Sequence, residues 1–360
     1  MNTTAPPRET WALSHAWRGE SDKAALALCA AELDKLGIAF ADAPDLASAD
    51  AVKMHGFEIV DALHAGQPRL ADLRDVAGSD DWRSRIDPRP LRFMEHGGAV
   101  HGIPVGIHQS NCLWAHAPIA ASVAAEQAGR ALDLMSWLRA AARHATRPLA
   151  IGGDPWSVGI LMESVLLATA GPQVYERAFV RLEPGALGGR EMIQALERLA
   201  ELRDFVDDER LARPWRSQLD DVRNGEAAVM VMGDWVGARL PESLVRLRVD
   251  GFRDECIFIA DFFVPLHRDG STLARRVAAA LTGTDFQARF SKTKGCLAAV
   301  LAAQGATPES SRRIDAPSLT LDQCCSVPTK TRLLAIVADH FVHRRDAART
   351  ATTLAGIASP

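Results

Sequence analysis

The chain has 360 residues, of which 48% are hydrophobic and 24% are charged, and its formal net charge at pH 7 is -4. This is the composition of a globular protein, and the length is sufficient for two domains. The acidic balance and the lack of a basic tract exclude nucleic acid as the main partner. No apolar run in the sequence approaches the roughly 20 residues that a membrane span needs.

The six cysteines give no metal-binding pattern, because no two of them have a CxxC spacing. Cys324 and Cys325 are adjacent and could pair with each other only with strain. We interpret the set as unpaired thiols of a reducing compartment, with disulfides as the alternative, and we expect neither a metal nor a cofactor. The cysteines are Cys29, Cys112, Cys256, Cys296, Cys324 and Cys325.

The N-terminal segment carries no recognisable targeting signal. Residues 1–8 contain threonines, alanine and two prolines, and we expect them to be disordered. The segment has neither the basic region nor the apolar stretch of a secretory signal peptide. If Met1 is the true start, this predicts a cytoplasmic protein.

Strands and helices alternate from the start of the chain. Trp11–Trp17 is a predicted strand, and Ile38–Phe40 is the next one. Between them, apolar residues at helical spacing predict a helix over Ser21–Gly37, capped by Ser21 and ended by Gly37. This order is typical of the opening of an α/β domain.

Polar side chains follow or line two later strands. Lys53 and His55 alternate onto one side of a short strand, where they form either ligand contacts or a solvated strand end. Ile103–Ile107 is apolar enough for a buried strand, and His108 follows its end. A histidine in that place is a ligand contact or a structural hydrogen-bonding group, while Trp114 is expected to pack at a hinge.

Trp156 is predicted to lie on a tight loop between a strand and a helix. Pro148–Ile151 has the length of a strand, Gly152–Pro155 has the residues of a turn, and an apolar helix follows. A ring held on such a loop can stack on an apolar patch of a ligand. The alternative for Trp156 is core packing.

A second ring follows a buried strand later in the chain. Asn224 and Gly225 predict the end of a helix, because these residues suit the left-handed conformation found there. Ala227–Met232 is a continuous apolar run of strand length, and Trp235 follows it after Gly233. Ligands of α/β proteins bind outside the ends of strands, so this ring is also a candidate for stacking.

Three segments resemble the motifs of one family, in the order of that family. Residues 101–114 (HGIPVGIHQSNCLW) resemble its "G..VPV.IH..N.LW" segment. Residues 148–171 (PLAIGGDPWSVGILMESVLLATAG) resemble "PLALGG.PW....L.ESV.LA.GG", and residues 224–235 (NGEAAVMVMGDW) resemble "NG.AAM.VMGDW". The family is that of the extracellular solute-binding proteins of the sugar-binding kind, in particular the glucose-type binding proteins of bacterial ABC importers. On this resemblance the chain is identified as a divergent and shortened member.

The resemblance implies a set of sugar-binding residues. Cys256–Leu266 resembles the family's "F.F..D.F..P" strand, and Lys294–Gly295 matches its "KGS" turn with Cys296 in place of the serine. In the family this lysine contacts sugar hydroxyls, and the aspartate lies in the ligand cleft. Carried over position by position, the implied sugar contacts are Trp17, Asp22, Lys53, His55, His108, Trp156, Trp235, Asp261 and Lys294.

The resemblance also implies an architecture and partners. The expected fold is α/β, with two lobes of the periplasmic-binding-protein kind and a ligand cleft between them that closes about a hinge. The expected lobes are residues 9–112 with 258–302, and residues 113–257 with 303–360. The expected protein is a periplasmic monomer without a membrane span, which binds a glucose-like monosaccharide for the permease of an ABC importer.

The chain departs from the family at four places that affect the expected cleft. Ala16 replaces one of two stacking tryptophans, and a helix with a GNPP end is missing near Asp45–Ala51. A PGT loop is absent after Leu244, and the family's late ligand histidine has no counterpart near Cys324–Lys330. These losses keep a second function open, that of a cytosolic relative which senses a metabolite or binds a protein partner with little or no sugar binding.

No enzyme active site is indicated. The GxSxG, Walker A and HExxH motifs are absent. Asp207–Glu209 and Asp220–Asp221 group carboxylates at polar helix ends, which predicts solvated faces. His340 and His343 stand three residues apart without a carboxylate motif. We therefore expect a binding protein and not an enzyme.

Overall fold

The computed structural model of the chain describes residues 8–128, 130–239, 242–250, 256–267, 271–305, 314–322 and 325–357. These residues belong to two compact units. The first comprises Met1–His108 and Ile259–Ser311, and the second comprises Gln109–Phe258 and Arg312–Pro360. In the division expected from the sequence, the chain changes lobe after residues 112, 257 and 302. Residues 1–7 and Cys324, to which we assigned disorder and an unpaired thiol, lie outside the described part.

Helices and strands alternate through the described ranges. Up to Gln109 they are β1 (Glu9–Ser14), α1 (Glu20–Asp34), β2 (Ile38–Asp42), β3 (Ala51–His55), α2 (Gly56–Ala65), α3 (Arg74–Ser79), α4 (Trp82–Arg85), α5 (Pro88–Met94), β4 (Glu95–His96), β5 (Ala99–Val100) and β6 (Ile103–Gln109). Up to Leu247 they are β7 (Cys112–His116), α6 (Ala117–Glu126), α7 (Leu134–Ala141), β8 (Leu149–Ala150), α8 (Pro155–Tyr175), α9 (Pro184–Leu187), α10 (Arg190–Leu202), α11 (Trp215–Arg223), β9 (Val229–Met232) and β10 (Leu244–Leu247). The rest are β11 (Cys256–Pro265), α12 (Ser271–Leu281), α13 (Thr284–Lys294), β12 (Ile314–Pro317), α14 (Val327–His343) and α15 (Ala347–Ala355).

The sheet of the first unit brings polar residues of three strands together. β1 pairs in parallel with both β2 and β3, and β3 pairs antiparallel with β11, which also pairs with β6. In this register Asp261 lies opposite His55, and Phe263 lies opposite Lys53. The sheet therefore places residues from distant parts of the sequence side by side.

The first strand and helix differ from their predicted bounds. The strand ends at Ser14, because the backbone N–H of Trp17 then turns to donate to Nδ1 of His15 at 3.2 Å. The helix begins at Glu20, and not with Ser21 as its cap, because the carboxylate of Asp22 accepts the backbone N–H of Gly19 at 2.8 Å. Asp22 is thus the acceptor that defines the start of α1.

The second unit contains a four-stranded sheet in the order β10-β7-β9-β8. The prediction for the helix before β9 is confirmed, since Asn224 is the C-cap of α11 and Gly225 has φ 76°. The strand itself is shorter than the apolar run and begins at Val229. Because Gly225 has a positive φ, the turn between α11 and this strand favours a glycine.

Helix α8 forms the centre of the second unit. With a π-helical turn at Glu176–Val180 it makes Pro155–Val180 long and apolar enough to cross a membrane by length and composition, contrary to the expectation from the sequence. However, 61% of its most apolar window is buried inside the protein, and the helix contacts α10 and α14. This burial identifies it as a core helix.

One predicted solvated face is wrong. The side chain of Asp221 is 3% exposed, whereas that of its neighbour Asp220 is 62% exposed. Asp221 accepts from Nε of Arg210 at 2.9 Å and from a terminal guanidinium nitrogen of Arg213 at 2.8 Å. Two arginines thus compensate a carboxylate on the buried side of α11, which also carries Val222.

Candidate functional site

A buried carboxylate lies at the centre of the candidate site in the first unit. Asp261 of β11 accepts from Nζ of Lys53 at 2.8 Å, and Nε2 of His108 lies 3.5 Å from its other oxygen. Nε2 of His55 is 3.4 Å from the oxygen that Lys53 contacts. The side chains of Asp261, Lys53 and His108 are at most 7% exposed, while that of His55 is 23% exposed. The strand pairing thus assembles four of the predicted residues into one cluster.

The groups around Asp261 keep its carboxyl group ionised. Burial alone raises the pKa of a carboxyl group. Here the ammonium of Lys53, the hydrogen bond from His108 and the attraction of the carboxylate for both imidazoles when they are protonated outweigh burial, and they keep the pKa of Asp261 well below its usual range. Asp261 is therefore an ionised hydrogen-bond acceptor at neutral pH.

His55 bridges the cluster to a residue that the sequence reasoning missed. Its Nε2 lies 2.6 Å from Nζ of Lys53, and its Nδ1 lies 3.1 Å from Oε2 of Glu58. The same Glu58 oxygen accepts the backbone N–H of His55 at 2.6 Å. A signal for Glu58 was available, since an acidic residue three positions after the residue that caps a helix is the pattern of a capping box.

The imidazole of His55 is neutral at pH 7. Burial lowers its pKa, and so does the charge of Lys53, while Glu58 and Asp261 oppose this shift without reversing it. Because a neutral imidazole carries one proton, one ring nitrogen donates a hydrogen bond and the other accepts one.

A second pair of charges adjoins the first. Nζ of Lys294 lies 2.5 Å from Oδ1 of Asp22 and 4.6 Å from the centroid of the Trp17 ring. Burial lowers the pKa of Lys294, but the charges of Asp261 and Asp22 together with the hydrogen bond to Asp22 raise it overall. Since Asp261 contributes to this shift, the two pairs form one electrostatic group.

Asp22 and Trp17 also make contacts that stabilise the fold of the first unit. Oδ2 of Asp22 accepts the backbone N–H groups of Gly19 and Arg18, while its other oxygen binds Lys294. The ring of Trp17 is half-buried and lies 5.6 Å from the ring of Phe263, measured between centroids. Part of the Trp17 indole is left accessible beside an ammonium group.

The other two predicted rings belong to the second unit. Trp156 lies in the first turn of α8, where Asp154 caps the helix by accepting the backbone N–H of Ser157 at 2.9 Å. Trp235 follows β9, and its ring lies so close to Gly233 that a Cβ on that residue would be 1.9 Å from the ring. Both rings are half-buried and pack against the core of their unit, so core packing accounts for part of each.

The seven predicted residues of the first unit thus form a single cluster, while Trp156 and Trp235 belong to the second unit. Trp114, expected to pack at a hinge, is buried and donates its indole N–H to the carbonyl of Gly233 at 3.0 Å. Within the described ranges, no group of three or more His, Cys, Asp and Glu side chains is arranged to hold a metal ion. What the cluster offers is an accessible indole, two ammonium groups and two carboxylates.

Known proteins resemble the chain in sequence and in fold. No family model matches it. The "Probable sugar-binding periplasmic protein" of Brucella suis biovar 1 is 28% identical over an alignment of 338 residues in length, which covers 86% of this chain and 76% of that protein. A solved chitin oligosaccharide binding protein has a TM-score of 0.78 at 16% identity and covers 97% of this chain and 98% of its own. The bacterial solute receptor AcbH, described as having an exclusive preference for β-D-galactopyranose, has a TM-score of 0.77 at 13% identity and covers 98% of both chains.

The two solved structures cover nearly the whole chain. The solved structures show the fold, which is the α/β architecture of two-lobe solute-binding proteins. The protein from Brucella suis adds likeness in sequence over 86% of the chain. The chain therefore resembles the solute-binding proteins of the sugar-binding kind in sequence, and it has their two-lobe fold.

Proposed function

We propose that the chain is the sugar receptor of an ABC importer, that it acts in the periplasm, and that it binds a glucose-like monosaccharide. The observation that carries the proposal is the half-buried indole of Trp17 beneath the ammonium of Lys294, beside the ionised Asp261. An indole can cover the C–H face of a pyranose ring. Charged groups at its edge form the stronger class of hydrogen bonds with hydroxyls.

The balance of charge in the cluster favours a neutral ligand. Lys53 is paired with Asp261, and Lys294 is paired with Asp22, so each ammonium group already has a counter-charge. An acidic sugar would add a buried negative charge without a free cation to pair with it, which is costly. A neutral sugar only has to share hydrogen bonds with groups that are already charged and oriented.

The proposal for a single sugar unit is supported by the resemblance to glucose-type binding proteins. The preference stated for the receptor AcbH is also for one pyranose. The chitin oligosaccharide binding protein is described as taking a longer ligand. The length of the ligand is therefore the first property to measure.

A second function, sensing or partner binding without transport, is favoured by two observations. Both carboxylate oxygens of Asp22 already have partners within the unit, because one binds Lys294 and the other accepts two backbone N–H groups. In addition, residues 43–50 join β2 to β3 without the helix that the family has in this region. Both features reduce the number of groups that are left to hold a sugar.

Calorimetric titration of the folded protein with neutral monosaccharides and with oligosaccharides of the same units tests the two functions. We expect binding of at least one monosaccharide. Loss of the ring in Trp17→Ala should weaken that binding by up to about 30-fold, since stacking and cation–π contacts contribute roughly 0.5–2 kcal/mol each.

Trp215→Ala is the matched control, because Trp215 is also half-buried and has a guanidinium, that of Arg216, over its ring at 5.2 Å. It should leave sugar affinity unchanged. If the folded protein binds none of the sugars, the transport function is wrong and the sensor is favoured. If Trp17→Ala binds at full affinity, the stacking role is wrong.

A further inference from the structure

Glu58 lies at the edge of the candidate site and contacts it through a single residue. One oxygen, Oε2, accepts both the backbone N–H of His55 at 2.6 Å and a hydrogen bond from the His55 ring at 3.1 Å. Its side chain is 42% exposed, so Glu58 itself is reachable by solvent while its bound oxygen faces His55. Glu58 is absent from the set of sugar contacts that the family motifs imply.

The contacts of His55 determine which ring nitrogen carries the proton. Nε2 lies 2.6 Å from Nζ of Lys53 and 3.4 Å from Oδ1 of Asp261, so the ammonium is much the closer partner. Because an ammonium has donor hydrogens only, Nε2 has to accept from it. In a neutral imidazole the proton is then on Nδ1. Nδ1–H donates to the carboxylate of Glu58, which has acceptor oxygens only.

We propose that Glu58 is a positioning residue of the sugar site, which fixes His55 in the tautomer protonated on Nδ1 and thereby holds Lys53 against Asp261. The role in sugar binding rests on the proposed function, whereas the tautomer and the Lys53 contact belong to the free protein. With the other tautomer, an Nε2–H hydrogen would point at the ammonium of Lys53. Lys53 would then have to leave its place beside Asp261.

The same arrangement makes the site sensitive to acid. The charged groups that face His55 are Lys53 on its own strand, Glu58 on α2 and Asp261 on β11, and the ring of Phe57 stacks on it with centroids 6.5 Å apart. Protonation of His55 places a second positive group against Lys53. Sugar affinity should therefore fall as the pH decreases through the His55 titration.

The first measurement is NMR of the histidine ring nitrogens in the free protein without sugar, which reports the tautomer of His55 and its titration. The wild type and Glu58→Gln should both show His55 protonated on Nδ1, because the glutamine oxygen also accepts. Glu58→Gln should titrate His55 at a lower pH, because the negative charge is lost. Glu58→Ala should show a mixture of tautomers.

Calorimetry with the monosaccharide that binds the wild type is the second measurement. At neutral pH we expect Glu58→Ala to lose about tenfold in affinity, the effect of one hydrogen bond, and Glu58→Gln to retain most of it. Glu191→Ala is the control, because it removes an acidic residue from the first turn of another helix, α10. It should change neither the His55 spectrum nor the affinity.

Two results would overturn the role of Glu58. One is a wild type whose His55 carries its proton on Nε2. The other is a Glu58→Ala variant with an unchanged His55 tautomer and titration, which would show that Glu58 only caps α2. A wild type that binds no sugar would contradict the proposed function, while the spectra would still decide the role of Glu58.

Discussion

Asp261 in the first unit and Glu163 in the second are both buried carboxylates, yet the protein shifts their pKa values in opposite directions. Asp261 is surrounded by cationic or protonatable donors, and its pKa lies well below the usual range. Glu163, on helix α8, is fully buried, and burial raises its pKa from 4.5 to about 7. The number of hydrogen-bond donors does not explain the difference, since Glu163 has four. The difference lies in the charge of those partners.

The partners of Glu163 are all neutral. Oε2 accepts from the hydroxyl of Tyr175 at 2.8 Å and from the backbone N–H of Leu319 at 3.1 Å. Oε1 accepts from the hydroxyl of Ser318 at 3.2 Å and the backbone N–H of Thr320 at 3.0 Å. These bonds join α8 to residues 318–320, which gives Glu163 a structural role.

The comparison shows what keeps a buried acid charged. Four neutral donors lower the pKa of Glu163 but do not offset the loss of water around it. One close ammonium with two histidines does so for Asp261. When Glu163 is protonated, the hydroxyl of Tyr175 can donate instead to the carbonyl of Pro317, which lies 3.0 Å away.

The largest expected effect comes from Asp261→Asn. This change removes the negative charge and leaves the ammonium of Lys53 buried without its counter-charge. The free energy of unfolding should fall by about 3–5 kcal/mol, as when one partner of a buried ion pair is lost. Urea unfolding measures this effect.

Asp42→Asn is the control for that measurement, because Asp42 is also paired with a histidine, His15, but is 71% exposed. It should change stability by less than about 1 kcal/mol. If the two variants lose equal stability, burial is not what gives the pair of Lys53 and Asp261 its importance.

A smaller effect, which depends on pH, is expected from Glu163. The folded protein holds this proton up to about pH 7, whereas the unfolded chain releases it near the ordinary pKa of 4.5. The contribution of Glu163 to stability is therefore complete below pH 4.5 and is lost as the pH rises to about 7. The loss amounts to about 3 kcal/mol.

Glu163→Gln should remove this part of the pH dependence, because an amide does not titrate in that range. It should also cost about 1–3 kcal/mol, because its NH2 group leaves one backbone N–H without an acceptor. Urea unfolding at several pH values measures both effects, with the exposed Glu201→Gln as control. An unchanged slope between pH 4.5 and 7 would mean that Glu163 is ionised throughout.

The smallest expected effect is that of Tyr175→Phe. The variant loses one of four donors to Glu163 and should be less stable by about 1 kcal/mol at neutral pH. The pKa of Tyr175 itself is raised well above its usual value, mainly by burial. Because Tyr175 is the only tyrosine of the chain, alkaline absorbance spectroscopy of the wild type follows this group alone. Tyrosinate absorbance that develops while the protein is still folded would contradict its burial.

Much of the cluster in the first unit could be predicted from the sequence, because its residues sit in motifs with a fixed place in the fold. Lys53 and His55 alternate on one strand, and Asp261 follows a recognisable pattern on another. The hydrogen bonds that join Glu163 to residues 318–320 could not be predicted. Leu319 is 156 positions away, and Glu163 itself lies within an apolar helix. Asp221 was wrongly placed in solvent for a similar reason, because a polar pattern does not reveal the two arginines that pair with it in the fold.

Asp22 connects the candidate site to the backbone of helix α1. One of its oxygens binds Lys294, and the other accepts the amide hydrogens of Gly19 and Arg18. A ligand that draws Lys294 away from Asp22 would leave more negative charge on the oxygen that caps the helix. The exchange rates of those two amides with deuterated water would then record the occupancy of the site without any label on the sugar.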